Sequence, residues 1–408
     1  MMSLIPMTYV CVVSEHNLPN LEAILCYRPQ TVILIATANF TQAAKRLKDQ
    51  LLATPEFART AVLLADTEHL AGNTLANSQH WVQHALVPLL QRHATPHFLN
   101  LTGGTKPLAV ALLYGHAWQE CHYKALGIQD IERFVITERG PQVLTTASPL
   151  MPTVSIEQAI GLYCEALNNT SSAPSALEQQ LAQQLWQGLV SQDVGLGSLF
   201  EVLNRIWSLE REEPKWQKKV ITLPWSSFTH TAHVTPWLTA LQQLGDQHFS
   251  FSDLSVTLPG NARANSRQQK QAAQLKSWIA GGWLEDVVYS WLSEHIPASQ
   301  LSINLQTQTS DDRHSQREAD ILLLHKGITW VMEIKADLPP NQTLPDLENQ
   351  LSSSAKRYGN TNKILFIGPE LKNKLVGKNN FDSFKGRCKG NHVTLCYDKA
   401  SLYKALGV

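Results

Sequence analysis

The sequence lacks the usual marks of export, membrane insertion and zinc binding. No apolar run approaches the roughly 20 residues of a membrane span, and the short run Thr8–Val13, with no basic region before it, predicts a strand rather than a signal core. The six cysteines form no Cys-x-x-Cys pair, and the fifteen histidines show no metal-ligand spacing. Scattered, reduced thiols are typical of cytoplasmic proteins, which is the location we expect.

Charge is scarce as well, since only 17% of the residues are charged and the formal net charge is zero. A chain of 408 residues is too long for one ordinary core, so we expect two or three domains. The charge is unevenly spread: from Lys356 to Lys404 there are eleven Lys and Arg against three Asp and Glu. Such a cluster suits the binding of a polyanion, although a plain solvated surface has the same composition.

In the first 150 residues, apolar strands alternate with helical patterns, which predicts an α/β domain with a Rossmann-like parallel sheet. The last strands of this region, at 121–126, 133–137 and 143–146, are expected to close one edge. The expected strands are Tyr9–Val13, Thr31–Ala36, Ala61–Ala65 and His97–Leu101, and the expected helices are Leu18–Cys26, Thr41–Leu52, Asn77–Arg92 and Pro107–Glu120.

The loop after the fourth strand, Asn100-Leu-Thr-Gly-Gly-Thr-Lys106, is the most distinctive feature of this region. It has neither the Walker A spacing nor the dinucleotide Gly-x-Gly-x-x-Gly pattern. Two glycines allow a ligand to approach the backbone closely, and Lys106 lies where free N–H groups of a following helix would favour an anion. Ser14 and Thr37, after the first and second strands, should lie on the same edge. A glycine-rich turn that only reverses the chain is the alternative.

Two charged triplets near residue 320 suggest a second site. Glu318-Ala-Asp320 opens one apolar run, Glu333-Ile-Lys335 closes the next, and His325-Lys-Gly327 between them predicts a tight hairpin turn. Folding the hairpin brings Asp320 close to Glu333, with Lys335 on the same face as Glu333. Paired carboxylates suit Mg²⁺ or Mn²⁺, and a lysine beside the ion can orient or deprotonate a water. A solvated hairpin with a surface ion pair is the alternative, but unpartnered charges are costly within apolar strands.

Two further residues fit this second site. Gly281-Gly-Trp-Leu-Glu285 begins a helical pattern, so Glu285 can add a carboxylate, or it can be an ordinary first-turn glutamate favoured by the helix dipole. Gln350 lies on the helix expected after the Glu333–Lys335 strand.

These motifs carry a resemblance to a known family. The Rossmann-like domain with Thr102-Gly-Gly-Thr-Lys106 resembles the CARF domain, the CRISPR-associated Rossmann fold. The region with Gly281-Gly-Trp-Leu-Glu285, Asp320 and Glu333-Ile-Lys335 resembles the PD-(D/E)xK nuclease of CARF-nuclease effectors, ancillary proteins of type III CRISPR immunity. The resemblance covers residues 1–150 and about 275–408, and implies a sensing domain at 1–150, a middle region at 151–270 and a nuclease domain at 271–408.

The resemblance also implies a function. CARF domains dimerise and bind cyclic oligoadenylates across the two-fold axis, and cyclic tetra-adenylate is the expected ring. Relatives cut single-stranded DNA, RNA or supercoiled DNA. Asp320, Glu333 and the Ile334 carbonyl would hold Mn²⁺ or Mg²⁺, and Lys335 would position the attacking water. The full set of expected catalytic residues is Glu285, Glu318, Asp320, Glu333, Lys335 and Gln350; the expected ligand contacts are Ser14, Thr37, Asn100, Thr102, Gly103, Gly104, Thr105 and Lys106.

The middle region and the exact function are less determined. Helical patterns at 156–167, 177–190, 199–209 and 235–244 suggest a helical or winged-helix-like insert, or a spacer. Two other functions remain open: a nucleotide-sensing DNA-binding regulator with an inactive nuclease domain, and a repair or restriction nuclease that ignores cyclic oligoadenylate.

Overall fold

The computed structural model describes residues 4–68, 70, 74–125, 130–144, 153–164, 166–169, 173–192, 197, 220–222, 234–245, 250–252, 255–257, 278–308, 317–338, 343–359, 361–377 and 380–408. The helix expected at 199–209 lies outside these residues. Within them, no helix is both long enough and apolar enough to cross a membrane.

The N-terminal region forms a seven-stranded sheet in the order β3-β2-β1-β4-β5-β6-β7. The five strands from β3 to β5 are parallel, and β6 and β7 close one edge in antiparallel fashion. This is the expected Rossmann-like arrangement. The strands are β1 Ile5–Val12, β2 Pro29–Ile35, β3 Ala61–Leu64, β4 His97–Asn100, β5 Glu120–Tyr123, β6 Glu132–Thr137 and β7 Gly140–Val143.

The helices of this region follow the predicted alternation with one correction. The helix expected to run to Glu120 ends at Gly115, because Glu120 begins β5. At Gly115 the chain passes so close to another helix that an added Cβ would lie 2.5 Å from Val82 Cγ1. The helices are α1 Leu18–Tyr27, α2 Thr41–Ala53, α3 Leu75–Trp81, a π-turn Val82–Leu86, α4 Val87–Leu90 and α5 Lys106–Gly115.

A buried histidine is part of the core beneath this sheet. His122 stacks on Tyr27 with 4.2 Å between ring centroids, and its Nδ1 lies 2.7 Å from the Tyr9 hydroxyl. Burial lowers the pKa of His122 to about 4, against an opposing effect of Glu120. The imidazole is therefore neutral at pH 7.

The described parts of the middle region contain helices and strands. The helix expected at 156–167 ends early, at Gly161, and residues 166–169 instead pair with a strand of the C-terminal sheet. The winged-helix-like interpretation and the domain boundaries stay predictions. The elements are α6 Ile156–Gly161, β8 Ala166–Asn169, α7 Ala176–Val190, β9 Val220–Thr222, α8 Val234–Gly245, β10 Ser250–Ser252 and β11 Ser255–Thr257, of which β10-β11-β9 form an antiparallel sheet.

The C-terminal region is built on a mixed sheet in the order β16-β15-β14-β13-β12-β8. The successive pairs β8–β12, β12–β13 and β13–β14 are antiparallel, whereas β15 runs parallel to both β14 and β16. The strands are β12 Leu301–Gln308, β13 Arg317–His325, β14 Ile328–Lys335, β15 Thr361–Ile367 and β16 Val393–Cys396; the helices are α9 Trp283–Ser293, α10 Leu344–Ala355, α11 Pro369–Gly377, α12 Phe381–Gly390 and α13 Lys399–Leu406.

The two large sheets share a continuous hydrophobic core. A single cluster of buried side chains contains Tyr9 and Ile24 from the N-terminal region together with Leu324 and Leu347 from the C-terminal region. The N-terminal and C-terminal regions are therefore packed against each other. The N-terminal region also contacts the middle region, since Arg46 Nε donates to the Leu162 carbonyl at 3.1 Å.

Candidate active site and ligand loop

The hairpin of β13 and β14 brings the two predicted carboxylates together. Its turn is the two residues Lys326 and Gly327, with φ of 52° and 71°, as a type I′ turn requires. Asp320 Oδ2 accepts a hydrogen bond from the Ile334 amide at 2.6 Å, across the two strands. Lys335 Nζ lies 2.6 Å from Glu333 Oε1 and 3.8 Å from Asp320 Oδ2. The structure therefore gathers these three side chains at one point.

Gln350 joins this group from helix α10. The helix begins after Thr343, whose capping box with Asp346 fixes its first turn. Gln350 Nε2 donates to Glu333 Oε1 at 3.0 Å, so this one oxygen meets both an amide and the Lys335 ammonium. Glu333 is buried, with 2% of its surface exposed, and these donors offset the cost of burying its charge.

Glu285 also faces the site, from the first turn of α9. Its pKa is raised well above the usual value, first by burial and then by repulsion from Asp320, while Lys335 and a hydrogen bond from the Asn304 side chain act in the opposite direction. Asn304 lies on β12 opposite Asp320 and has a φ of 53°. The sequence analysis missed Asn304; its signal was an asparagine, which tolerates positive φ, within an apolar strand.

One expected residue is not tested. The backbone of Glu318 lies on β13 and pairs with Gln306, but its side chain is outside the described part of the chain.

Acidic side chains outnumber basic ones at this site. Burial raises the pKa of Asp320, against the effects of Lys335 and the Ile334 amide. Burial lowers the pKa of Lys335, but Asp320, Glu333 and Glu285 outweigh it and the net shift is upward. Lys335 is thus an ammonium. It can donate a hydrogen bond that orients a water, but it cannot act as a base. Glu285, Asp320 and Glu333 thus leave a surplus of acidic groups over the single Lys335 ammonium, and the raised pKa values of Glu285 and Asp320 show that the folded site disfavours ionising all three carboxyl groups together.

A divalent cation fits that surplus. The available donors are oxygens, namely the carboxylates of Asp320 and Glu333 and the carbonyl of Ile334, and hard cations prefer oxygen. Among the described residues, no group of three or more His, Cys, Asp or Glu side chains is arranged to enclose a metal. Mg²⁺ takes one or two carboxylates and keeps several waters, which is a ligand set that Asp320 and Glu333 could supply.

The predicted ligand loop lies at the switch point of the N-terminal sheet. Strands β2 and β3 lie on one side of β1, and β4 lies next to β1 on its other side, so the direction of the strand order reverses between β1 and β4. In such sheets this edge is where ligands bind. The loops after β1 and β4 touch, because a Cβ added at Gly103 would lie 2.4 Å from the Val12 carbonyl oxygen and 3.1 Å from Ser14 Oγ.

The other predicted loop residues surround this contact. Gly104 has a φ of 95°, which only glycine adopts readily. Thr105 and Lys106 are exposed at the start of α5. Thr37 follows β2, on the far side of β1 from β4 but at the same sheet edge. These polar positions all follow the carboxyl ends of neighbouring strands, at the same edge of the sheet.

Asn100 was expected to contact the ligand, but it is fully buried and supports the loop through hydrogen bonds. Its side-chain Oδ1 accepts from the Thr102 amide at 3.0 Å and from the Thr102 hydroxyl at 2.5 Å, and its Nδ2 donates to Asn20 Oδ1 at 3.0 Å. Asn20 in turn donates to the Val12 carbonyl and to Asn17. The sequence analysis missed both Asn20, which lies on α1, and Asn17, which directly precedes that helix.

The basic cluster at the C-terminus is less available than its composition suggests. At least five of its side chains have partners within the chain: Lys363 with Ser352 and Asn391, Lys372 over the Tyr397 ring, Lys374 with Asp337, Arg387 with Glu348 and Lys399 with Glu294. Lys385 and Lys389 on α12 are exposed. Attraction of a polyanion by this face would depend chiefly on such exposed lysines.

Comparison with known proteins supports the fold. No protein-family model matches the sequence, and no curated protein matches it significantly. Among solved structures, protein VC1899 from Vibrio cholerae is similar over 98% of both chains, with a TM-score of 0.69 and 15% identity. Can2 from Sulfobacillus thermosulfidooxidans, solved in complex with cyclic tetra-adenylate (cA4), is similar over 99% of this chain and 98% of its own, with a TM-score of 0.65 and 17% identity. The chain thus shares the complete fold of these two proteins, as the predicted resemblance requires.

Proposed function

We propose that this protein is a metal-dependent endonuclease that cyclic oligoadenylate activates, acting in type III CRISPR antiviral defence in the cytoplasm. The observation that carries the proposal is the convergence of Asp320, Glu333, Lys335 and Gln350 on one point. A solvated hairpin would have no reason to bury Glu333 among such partners. All six cysteines lie in the described part of the chain and none forms a disulfide, in keeping with a reducing compartment.

In the proposed reaction, Asp320, Glu333 and the Ile334 carbonyl would hold Mg²⁺ or Mn²⁺, which would supply Lewis-acid stabilisation of the charge that builds up on the scissile phosphate. Lys335 would remain an ammonium and orient the attacking water, and Gln350 would fix the Glu333 carboxylate. A bound cation would favour the ionised form of Glu285, whose surroundings in the fold raise its pKa. Water hydrolyses the phosphodiester without a covalent enzyme intermediate.

The activator in this proposal is cyclic tetra-adenylate. The fold shared with Can2, which was solved with that ring, supports it. The backbone of Gly103 and Gly104, the hydroxyls of Ser14, Thr37, Thr102 and Thr105, and Lys106 would contact the ring. We also propose a homodimer, because a symmetric ring suits two copies of one loop. Val110 and Tyr114 on α5, beside this loop, are 42% and 63% exposed and would suit such an interface.

The test is cleavage of single-stranded DNA, RNA and supercoiled plasmid with Mn²⁺, with and without cyclic tetra-adenylate. We expect cleavage only when both are present. Glu333→Ala should abolish cleavage and leave ligand binding intact, whereas the control Glu294→Ala, at a surface ion pair with Lys399, should cleave normally. Lys106→Ala should weaken ligand binding, whereas Lys45→Ala, another exposed lysine of the same region, should not.

The alternatives predict different results. Equal cleavage with and without ligand would leave a repair or restriction nuclease. Tight ligand binding without cleavage of any substrate would favour the regulator with an inactive nuclease domain.

A further inference from the structure

Helix α1 contacts both Asn100, beneath the candidate ligand loop, and the turn of the hairpin that carries Asp320 and Glu333. It begins directly after the loop that contains Ser14, and nine of its ten residues are buried. One side of the helix packs in the core that joins the two sheets. At its start, Tyr163 of the middle region receives hydrogen bonds from the Asn17 and Leu18 amides, which partly oppose the burial that raises the Tyr163 pKa to about 12.

The ligand loop is tied to α1 through a buried ion pair. The Lys124 amide donates to the Thr102 hydroxyl at 3.1 Å. The Lys124 side chain is 2% exposed, and its Nζ lies 3.1 Å from Glu22 Oε2 on α1. A shift of Thr102 would therefore move the backbone that carries the cation of this pair.

The same ion pair supports the turn of the candidate catalytic hairpin. A Cβ added at Gly327 would lie 3.4 Å from Glu22 Oε1 and 3.8 Å from Lys124 Nζ. Strands β13 and β14 continue from this turn to Asp320 and Glu333, about 20 Å away at the usual rise per residue. The turn of the hairpin thus lies against the ion pair, and the two carboxylates lie near the opposite end of its strands.

We propose that the Glu22–Lys124 pair couples the position of Thr102 to that of the β13–β14 hairpin, and is the route by which occupancy of the ligand loop changes the candidate active site. This inference rests on the proposed function and assigns its regulation to named residues. A bound ring that displaces Thr102 would move Lys124, then Glu22, then the Gly327 turn. Coupling between two sites requires a physical element that both of them bias, and this pair contacts the ligand loop at Thr102 and the turn of the hairpin that carries Asp320 and Glu333.

The test compares variants at each step of the route. Thr102→Val removes the hydroxyl that holds the Lys124 amide. The double variant Glu22→Gln/Lys124→Met removes both charges together, so that neither is left buried alone. Gly327→Ala places a methyl against the pair, whereas Gly140→Ala is its control, because Gly140 also has positive φ, 103°, in a hairpin turn but its Cβ would meet nothing within 4 Å. Circular dichroism would establish that each variant folds.

The first measurement is hydrogen exchange of the hairpin amides at 326–329 without any ligand. We expect exchange at least about fivefold faster in Thr102→Val, in the double variant and in Gly327→Ala, and unchanged in Gly140→Ala. Hairpin exchange at the wild-type rate in folded Thr102→Val and in the folded double variant would overturn the inference.

The second measurement is the ratio of cleavage with and without cyclic tetra-adenylate. We expect the double variant to bind the ring as the wild type does and to lose about tenfold of its activation ratio. Wild-type activation in the double variant would also overturn the inference. If the hairpin exchange responds as expected but the wild type is not activated by the ring, the proposed function fails while the mechanical coupling stands.

Discussion

Replacing Gly103 by alanine tests the ligand loop by steric means alone. The new Cβ would lie 2.4 Å from the Val12 carbonyl oxygen, roughly 1 Å short of a normal contact. The atom in the way is backbone at the end of β1, which cannot rotate aside as a long side chain could. The loop after β4 must therefore move away from the loop after β1.

The size of the effect follows from the cost of overpacking. Forcing a methyl group into a well-packed place costs about 1–3 kcal/mol. In the unbound protein the loop after β4 can avoid this strain by moving. A ligand that contacts both loops requires the original arrangement, so the strain reduces the free energy of binding. Because about 1.4 kcal/mol corresponds to a tenfold change in Kd, affinity for cyclic tetra-adenylate should fall by about 10- to 100-fold.

Isothermal titration calorimetry of the ring against the wild type and Gly103→Ala measures this loss. Gly386→Ala is the control, because its Cβ would meet nothing within 4 Å and it lies on α12 of the other region. The control should bind with wild-type affinity and gain about 0.5–1 kcal/mol of stability from the better helix former. Wild-type affinity in a folded Gly103→Ala would refute the placement of the ligand at these loops.

Three further predictions concern single side chains. Gln350→Ala removes a hydrogen bond to the Glu333 carboxylate and should lower Mn²⁺ affinity or cleavage by about 10- to 100-fold in a metal titration. Burial lowers the pKa of His122 to about 4, so protonation of the unfolded chain reduces the free energy of unfolding as the pH falls from about 6.5 towards 4. His122→Gln removes this titration. In urea unfolding, the free energy of unfolding should therefore fall by up to about 3 kcal/mol less in His122→Gln than in the wild type between pH 7.5 and pH 4.5. Glu348→Ala leaves Asn391 and Arg387 without their buried acceptor and should lower the free energy of unfolding by about 2 kcal/mol, with Asp346→Ala as a milder exposed control.

Local patterns in the sequence were sufficient for the elements whose partners are near in the chain. The four main strands of the N-terminal sheet start and end within four residues of the predicted bounds, because each is a short apolar run between turn residues. The β13–β14 hairpin was predictable for the same reason: Lys326-Gly327 suits a turn with two positive φ angles, and the strands beside it pair with each other.

Elements that depend on distant partners were not predictable in this way. The apolar residues at 162–167 continue a helical pattern, yet Ala166–Asn169 is a strand because β12, over 130 residues later, offers it an edge. The asparagines at 20 and 304 were missed for the same reason. Each satisfies polar groups that arrive from another part of the chain, and only the fold brings those groups near.

The two candidate sites place opposite demands on charge, although both of their proposed ligands are polyanions. The ligand loop offers Lys106 and a helix start, so it can attract phosphate unaided. The active site has a surplus of carboxylates around Lys335 and would repel phosphate unless a cation were bound. Removing divalent metal with EDTA should therefore abolish cleavage while leaving the Kd for cyclic tetra-adenylate within about twofold. Excess Mn²⁺ should restore cleavage, and full cleavage in EDTA would contradict the assignment of Asp320 and Glu333 as metal ligands.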